Sequence, residues 1–293
     1  MKLLSYDYLG RSLVGTLVGG RIVNLSDALP SRPQTMQAFL ALGAAGLGLA
    51  AEASVKNSEK TIPLDRVHIL APVPRPGKYL GVGGNFESHL QEAAHLGLLR
   101  PAKPIWFNKQ TTCVIGPYDP IHLPRVSVQL DYEAELGIVI GRRCRHVQVE
   151  DALSVVAGYV VCNDVSVRDW QMRSPTATLG KSFDTHGPFG PYLVTPDEVG
   201  HPQELRIRTW INGELRQDGS TAEMIFNCAQ LIADLSQVCT LEPGDVLATG
   251  SPRGCGGLRN PPSWLRAGDV ARIEIERVGT IENTVISEPA DIV

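Results

Sequence analysis

Between residues 130 and 140 the chain alternates strictly in polarity. Leu130, Tyr132, Ala134, Leu136, Ile138 and Ile140 are apolar or aromatic on one parity, while Asp131, Glu133 and Glu135 begin the other. A period of two belongs to an extended strand, so this segment predicts a β-strand with one face in a core. The charged face is the more telling one. Side chains two residues apart lie on the same side of a strand, about 7 Å apart. Carboxylates held in that way repel, and a divalent cation between them is the natural remedy. A solvent-facing strand with its charges outward explains an isolated Glu-x-Glu better than a cation does, so this pattern needs support from elsewhere in the chain.

Three further segments supply it. Val160 to Asp169 begins as an apolar strand and turns abruptly polar, which places Asp164 at a strand exit. Two glutamates and one aspartate leave roughly three positions of an octahedral cation for water or substrate, the preference of Mg²⁺ or Mn²⁺. No His/Cys cluster competes, which argues against zinc. The run Gly81 to Glu92 resembles a dinucleotide loop only superficially, because the sixth position of its G-x-G-x-x-G frame is Phe86. Its useful part is His89 with Glu92, three residues apart and so on one face of a helix. A carboxylate beside an imidazole orients it and raises its basicity, as a general base for water requires. The plain reading is a surface pair on a short helix. The glycines ahead of it predict that residues 84–95 move as a lid. In the last segment, Gly180 to Pro191, Lys181 reads as a surface lysine by itself. Beside an acidic cation site it can pair with an anionic substrate or steady an oxyanion.

The rest of the chain frames these residues. Gly 29 and Pro 21 in 293 residues imply many turns and short strands rather than a helix bundle. Hydrophobic residues at 43% and charged residues at 20% argue against disorder and coiled coil. The net charge of -4 argues against a nucleic-acid partner. Strands are predicted over Leu3–Tyr8 and Ser12–Val18, a turn over Asn24–Asp27, and a helix from Pro33 to Ala53 opened by Ser31. This N-terminal texture, and the Pro-rich joint over residues 71–77, predict a small accessory domain over 1–70 and a main domain over 71–293. Further along, Leu205–Ile211, Asn212-Gly213 and Glu214–Gln217 read as a hairpin with a type I′ turn. Ser220 with Glu223 reads as a capping box opening a helix through residue 238. Residues 242–245 form a turn into the strand Val246–Thr249, and Asp269–Val278 alternates again. The six cysteines contain no C-x-x-C pair and read as reduced thiols. The longest apolar run, 38–51, is too short for a bilayer, and Asp7 and Arg11 interrupt any secretory start. The expectation is a soluble cytoplasmic protein with no membrane partner.

Taken in order, several motifs together resemble the fumarylacetoacetate hydrolase family. They are Gly84-Asn-Phe-Glu-Ser-His-Leu-Gln-Glu92, Phe107-Asn-Lys109, Asp131-Tyr-Glu-Ala-Glu-Leu136, Asn163-Asp-Val-Ser-Val-Arg-Asp169 with Gln171, Lys181-Ser-Phe-Asp184 with Pro188-Phe-Gly-Pro191, Asn212-Gly213, and Leu241 to Pro252. They span about residues 78–286. The stretch Asn260–Asp269 is similar to the subgroup of domain-containing protein 2. The resemblance implies a mostly β, α+β fold: a mixed β-sandwich roll with a small N-terminal domain, usually assembled as a homodimer. It implies Mg²⁺ or Mn²⁺, sometimes Ca²⁺, on Glu133, Glu135 and Asp164. It assigns water activation to His89 and Glu92, an active-site role to Lys181, and contacts to a small carboxylate substrate to Gln171, Arg168, Lys109, Thr249 and Gly250. Two departures, Phe86 in place of a common tyrosine and Ser251-Pro-Arg-Gly-Cys-Gly256 in place of Thr-Pro-x-Gly-Val-Gly, bear on substrate identity rather than on the metal ligands.

The implied activity is hydrolysis of a C–C bond in an acylpyruvate or other 2,4-diketo acid, of the fumarylpyruvate or diketo-deoxy sugar acid kind. His89 would take a proton from water, Lys181 or Gln171 would steady the oxyanion, and the cation would stabilise the departing enolate. The same enolate serves decarboxylation of oxaloacetate and isomerase or lyase chemistry on an unsaturated hydroxy-diacid, which stand as the alternatives. A non-catalytic metal-bound β domain is the third reading, and the retention of Glu133, Glu135, Asp164 and His89 argues against it.

Overall fold

The computed structural model describes residues 1–56, 60–94, 97 and 99–290. The alternating segment sits at the centre of a 12-stranded mixed sheet as the strand Ala134–Ile140, between Val156–Asn163 and Val246–Ala248. Its even positions Leu136, Ile138 and Ile140 pack with Ile207, Ile273, Ile275 and Ile281, which belong to a second sheet of five strands. Two sheets closed face to face over such apolar rows make a β-sandwich. The opposite parity is not exposed either. Val139 packs with Met36, Phe39 and Ala50 from the helices Met36–Leu40 and Gly43–Lys56. Both faces of the strand are therefore buried, which removes the solvent-facing reading of its glutamates. The fold is α+β and dominated by sheet, as expected.

The N-terminal strands Lys2–Tyr8, Arg11–Val18, Arg21–Asn24 and Thr61–Pro63 extend the same large sheet, joined to it where Lys2 and Leu3 pair with Val194 and Leu193. Three local expectations are corrected here. The helix expected from Pro33 begins at Met36, capped by the Thr35 hydroxyl on the Ala38 N–H, and is divided by Gly43 at φ 58°. Residues 25–28 form one helical turn rather than a simple reverse turn. The Ser220–Glu223 capping box exists but closes only the 3₁₀ turn Thr221–Glu223, while the helix Cys228–Val238 starts from its own box, Asn227 with Gln230. The hairpin is as expected: Asn212 and Gly213 both have positive φ, 52° and 81°, the requirement of a type I′ turn.

All six cysteines are unpaired. Among the described residues no helix is long and apolar enough to cross a membrane. One buried group makes stability depend on pH. His186 is fully buried; its Nε2 lies 2.8 Å from the His122 carbonyl oxygen and its Nδ1 has no partner among the described residues. Burial pushes its pKa down to about 3. Between the ordinary imidazole value and that figure the unfolded chain binds a proton that the folded chain refuses. Stability is therefore full above about pH 6.5 and falls as pH drops, by up to about 1.4 kcal/mol per unit from this residue alone. Denaturant titrations at pH 7.5 and 5 should show this loss, and His186→Gln should reduce the pH dependence. An unchanged slope would refute the assignment.

Candidate active site

The strand pairing that builds the sheet also builds the site. Ala134 pairs with Asn163 and Glu135 with Cys162 in antiparallel register. One step beyond, the Asp164 N–H donates to the Glu133 carbonyl at 2.9 Å, and the Glu133 N–H donates to Asn163 Oδ1 at 3.1 Å. Residues far apart in sequence are thus fixed side by side. Glu133, Glu135 and Asp164 each present a carboxylate oxygen, and the three oxygens lie within 4.8 Å of one another in a buried cluster.

Three cations contact the cluster. Lys181 Nζ donates to Glu133 Oε2 and Asp164 Oδ2, both at 2.5 Å. Lys109 Nζ donates to Asp164 Oδ1 at 2.6 Å and to the Lys181 carbonyl at 2.5 Å. Arg168 Nη2 reaches Glu133 Oε1 at 2.7 Å, and its Nη1 donates to Gln171 Oε1 at 2.9 Å. Among the described residues Glu135 joins no ion pair. Its Oε2 accepts the Gly250 N–H at 2.8 Å, a close approach that uses glycine at φ 96°.

The two glutamates consequently diverge. Burial pushes both up. For Glu133 the Arg168 and Lys181 charges overcome burial and hold the carboxyl well below the usual range. For Glu135 the neighbouring Asp164 and Glu133 add to burial, so its carboxyl is raised well above the usual range. Lys181 is raised, because Asp164 and Glu133 outweigh the burial that disfavours its charge. A hard divalent cation is what this donor set fits. It offers three carboxylates, no sulfur and no imidazole within the cluster, and one carboxylate, Glu135, that forms no direct ion pair among the described residues.

The helix Glu87–Glu92 brings His89 and Glu92 against the loop that follows Pro252. Glu92 Oε2 accepts the Gly254 N–H at 2.8 Å, and His89 Nδ1 lies 4.0 Å from Cys255 Sγ. Burial lowers the His89 pKa, with Arg168 and Lys181 acting in the same direction and Glu133 and Glu92 opposing. The imidazole is therefore neutral near pH 7, the form a base needs. The segment expected to act as a lid includes His95, which lies outside the described residues.

The expected substrate contacts divide into two groups. Arg168 and Gln171 are partly buried and adjacent to the cluster. Lys109, Thr249 and Gly250 are buried and engaged within the protein: Lys109 on Asp164, the Thr249 hydroxyl on the Leu136 carbonyl at 2.9 Å, and the Gly250 N–H on Glu135. Sequence reasoning missed Asn85. Its side chain donates to the carbonyls of Phe226 and Thr249 and accepts the Phe226 N–H, tying the start of the His89 segment to the loop that carries Gly250. No local pattern announces such a pin.

The family described as fumarylacetoacetate (FAA) hydrolase C-terminal matches residues 78–286, which contain every residue just placed in the cluster. The chain belongs to the fumarylacetoacetate hydrolase family. Oxaloacetate tautomerase Fahd2a, mitochondrial, of Rattus norvegicus is 43% identical over 270 residues, 92% of this chain and 85% of that protein. Maleylpyruvate hydrolase from Sphingobium sp. SYK-6, solved in complex with manganese (II) ion and pyruvate, aligns with a TM-score of 0.79 at 30% identity, over 99% of this chain and 100% of that one. The 2-hydroxyhepta-2,4-diene-1,7-dioate isomerase from Mycobacterium marinum aligns with a TM-score of 0.77 at 30% identity, over 98% and 99%. A tautomerase, a hydrolase and an isomerase thus share this architecture, and a manganese-bound neighbour agrees with the acidic cluster in pointing to a divalent metal.

Proposed function

We propose that this chain catalyses divalent-cation-dependent proton transfer between the enol and keto forms of a 2-oxo dicarboxylic acid, with oxaloacetate the foremost candidate. The supporting observation is the juxtaposition of a neutral, partly buried imidazole with a buried three-carboxylate cluster in which Glu135 is crowded by two like charges. Glu133, Glu135 and Asp164 would hold Mg²⁺, Mn²⁺ or Ca²⁺, and the ion would supply Lewis-acid stabilisation of an enolate. Lys181, Arg168 and Gln171 would orient the substrate carboxylates by charge and hydrogen bonding. His89, placed by its helix and Glu92, would move the proton: it accepts the enol O–H proton, directly or relayed through a water, and returns a proton to the adjacent carbon. The similarity to an oxaloacetate tautomerase over most of the chain supports this substrate class.

C–C hydrolysis of an acylpyruvate is the second reading. There His89 would take its proton from water, and the likeness to maleylpyruvate hydrolase favours it. In either case a reducing compartment such as the cytoplasm suits the reading, since the six thiols are unpaired, and a homodimer is the assembly proposed for it.

One set of assays separates the readings. Enol-oxaloacetate is followed by its ultraviolet absorbance with Mg²⁺, Mn²⁺, Ca²⁺ or a chelator, and pyruvate release is measured from oxaloacetate and from a panel of acylpyruvates. The expected result is chelator-sensitive loss of the enol without pyruvate. Faster pyruvate release from an acylpyruvate would install the hydrolase instead, and indifference to divalent cations would remove both. Because burial lowers the His89 pKa, the acid limb of kcat/KM should lie below the ordinary imidazole value of about 6.5.

A further inference from the structure

Asp131 shares its parity with Glu133 and Glu135 but does not join them. The strand is interrupted: Leu130–Asp131 pairs with Ser166–Val167 in a two-stranded ladder, and the main strand begins only at Ala134. The Asp131 carboxylate is fully buried and saturated with donors. Its Oδ1 accepts the N–H of Tyr132 at 2.9 Å and of Gly256 at 2.7 Å. Its Oδ2 accepts the Gly257 N–H at 2.9 Å and Arg168 Nε at 2.8 Å. A Cβ on Gly256 would lie 2.8 Å from Oδ1 and 2.2 Å from the Ser263 carbonyl, so the approach of this loop depends on glycine.

These bonds join two halves of the site. On one side Asp131 holds Arg168 through Nε at 2.8 Å and Nη2 at 2.7 Å, and the same Nη2 lies 2.7 Å from Glu133 Oε1, so the guanidinium bridges the two carboxylates. On the other it anchors the loop whose Gly254 and Cys255 meet Glu92 and His89. The charge argument is specific. Arg168 stands beside the carboxylates that would receive the cation, and an uncompensated guanidinium there would repel it. Asp131 supplies a second compensating charge on the same guanidinium and stays outside the three clustered carboxylates.

We propose that Asp131 is a positioning residue for the cation centre: it neutralises Arg168, fixes it against Glu133, and registers the Gly254–Gly257 loop with the His89 helix. The inference rests on the reading that Glu133, Glu135 and Asp164 bind a divalent cation.

The test is Mn²⁺ titration by calorimetry of the full chain, wild type against Asp131→Asn, with thermal unfolding in chelator recorded alongside. Asparagine keeps the shape and removes the charge. Mn²⁺ should bind on the order of 10- to 100-fold more weakly, the usual cost of losing an outer partner of a metal centre. Adding Arg168→Met should return much of that affinity, because the uncompensated cation is then gone. A purely structural role would lower the unfolding temperature and leave the affinity of the folded fraction unmoved. If Asp131→Asn does not fold, Arg168→Met alone decides: it should bind Mn²⁺ more tightly than wild type, and weaker binding would overturn the charge argument. Wild-type affinity in a folded Asp131→Asn overturns the inference alone. A wild type that binds no Mn²⁺ overturns the cation reading and the inference with it.

Discussion

Glu135→Gln should stabilise the cation-free protein while erasing its response to divalent cations. Glu135 is buried beside Asp164 and Glu133, and among the described residues its carboxylate accepts one hydrogen bond, from a neutral donor, the Gly250 N–H. Glutamine keeps an oxygen for that N–H and removes the repelled charge. The gain should be about 1–3 kcal/mol near neutral pH, or roughly 2 °C in Tm for each kcal/mol. It should grow as pH rises above the carboxyl's ordinary value, because the folded wild type must either hold a proton that the unfolded chain has released or tolerate the charge. Mn²⁺ at about 100 times its Kd should add about 2.7 kcal/mol to the wild type and little to the variant. Glu133→Gln should act with the opposite sign in chelator, since Arg168 and Lys181 each lose a charged partner there. Thermal unfolding of the three proteins in chelator and in Mn²⁺ reads both effects. A Glu135→Gln protein that is less stable in chelator would show that Glu135 is not repelled, and one still stabilised by Mn²⁺ would show that it is not a ligand.

The opposite signs expected at two glutamates of one strand show where sequence reading stops. Alternation alone indicated a strand whose even positions, Leu136, Ile138 and Ile140, enter a core, and the structure has them there. Alternation did not indicate that the odd face is buried as well, because its cover comes from helices about a hundred residues earlier. Local chemistry is also ambiguous about extent. The Ser220–Glu223 box and the Asn227–Gln230 box make the same reciprocal bonds, yet one closes a single turn and the other starts an 11-residue helix. What separates them is burial of one helix face, which a cap does not encode. At the site, Glu133 and Glu135 follow from period two, but their meeting with Asp164 depends on the pairing of Glu135 with Cys162. The motif order of a family carried that information; composition and spacing did not. Asp131 is the sharpest case. Parity puts it on the glutamates' face, and the interruption at Tyr132–Glu133 turns it toward Gly256 and Gly257 instead.

His89→Ala should lower the rate of enol–keto transfer by about 10²–10⁴, the range of general acid–base help, and leave Mn²⁺ affinity nearly unchanged. The imidazole faces the loop around Cys255 and is influenced by Glu133, but it is not among the three clustered carboxylates. Glu92 needs two variants, because it does two things. Its carboxylate charge raises His89 basicity, and its Oε2 holds the Gly254 N–H. Glu92→Gln retains an acceptor for that N–H and removes only the charge, so it should shift the acid limb of kcat/KM downward with a modest loss of kcat. Glu92→Ala removes both and should cost more, through KM as well as kcat, as the loop loses its tie to the helix. Decarboxylation of oxaloacetate requires no base at carbon, so it should survive His89→Ala far better than enol–keto transfer does. The ratio of the two activities in His89→Ala is therefore the decisive number. Equal losses in both would mean that His89 serves the substrate's position rather than its proton, and near-wild-type transfer would take the proton away from His89 altogether.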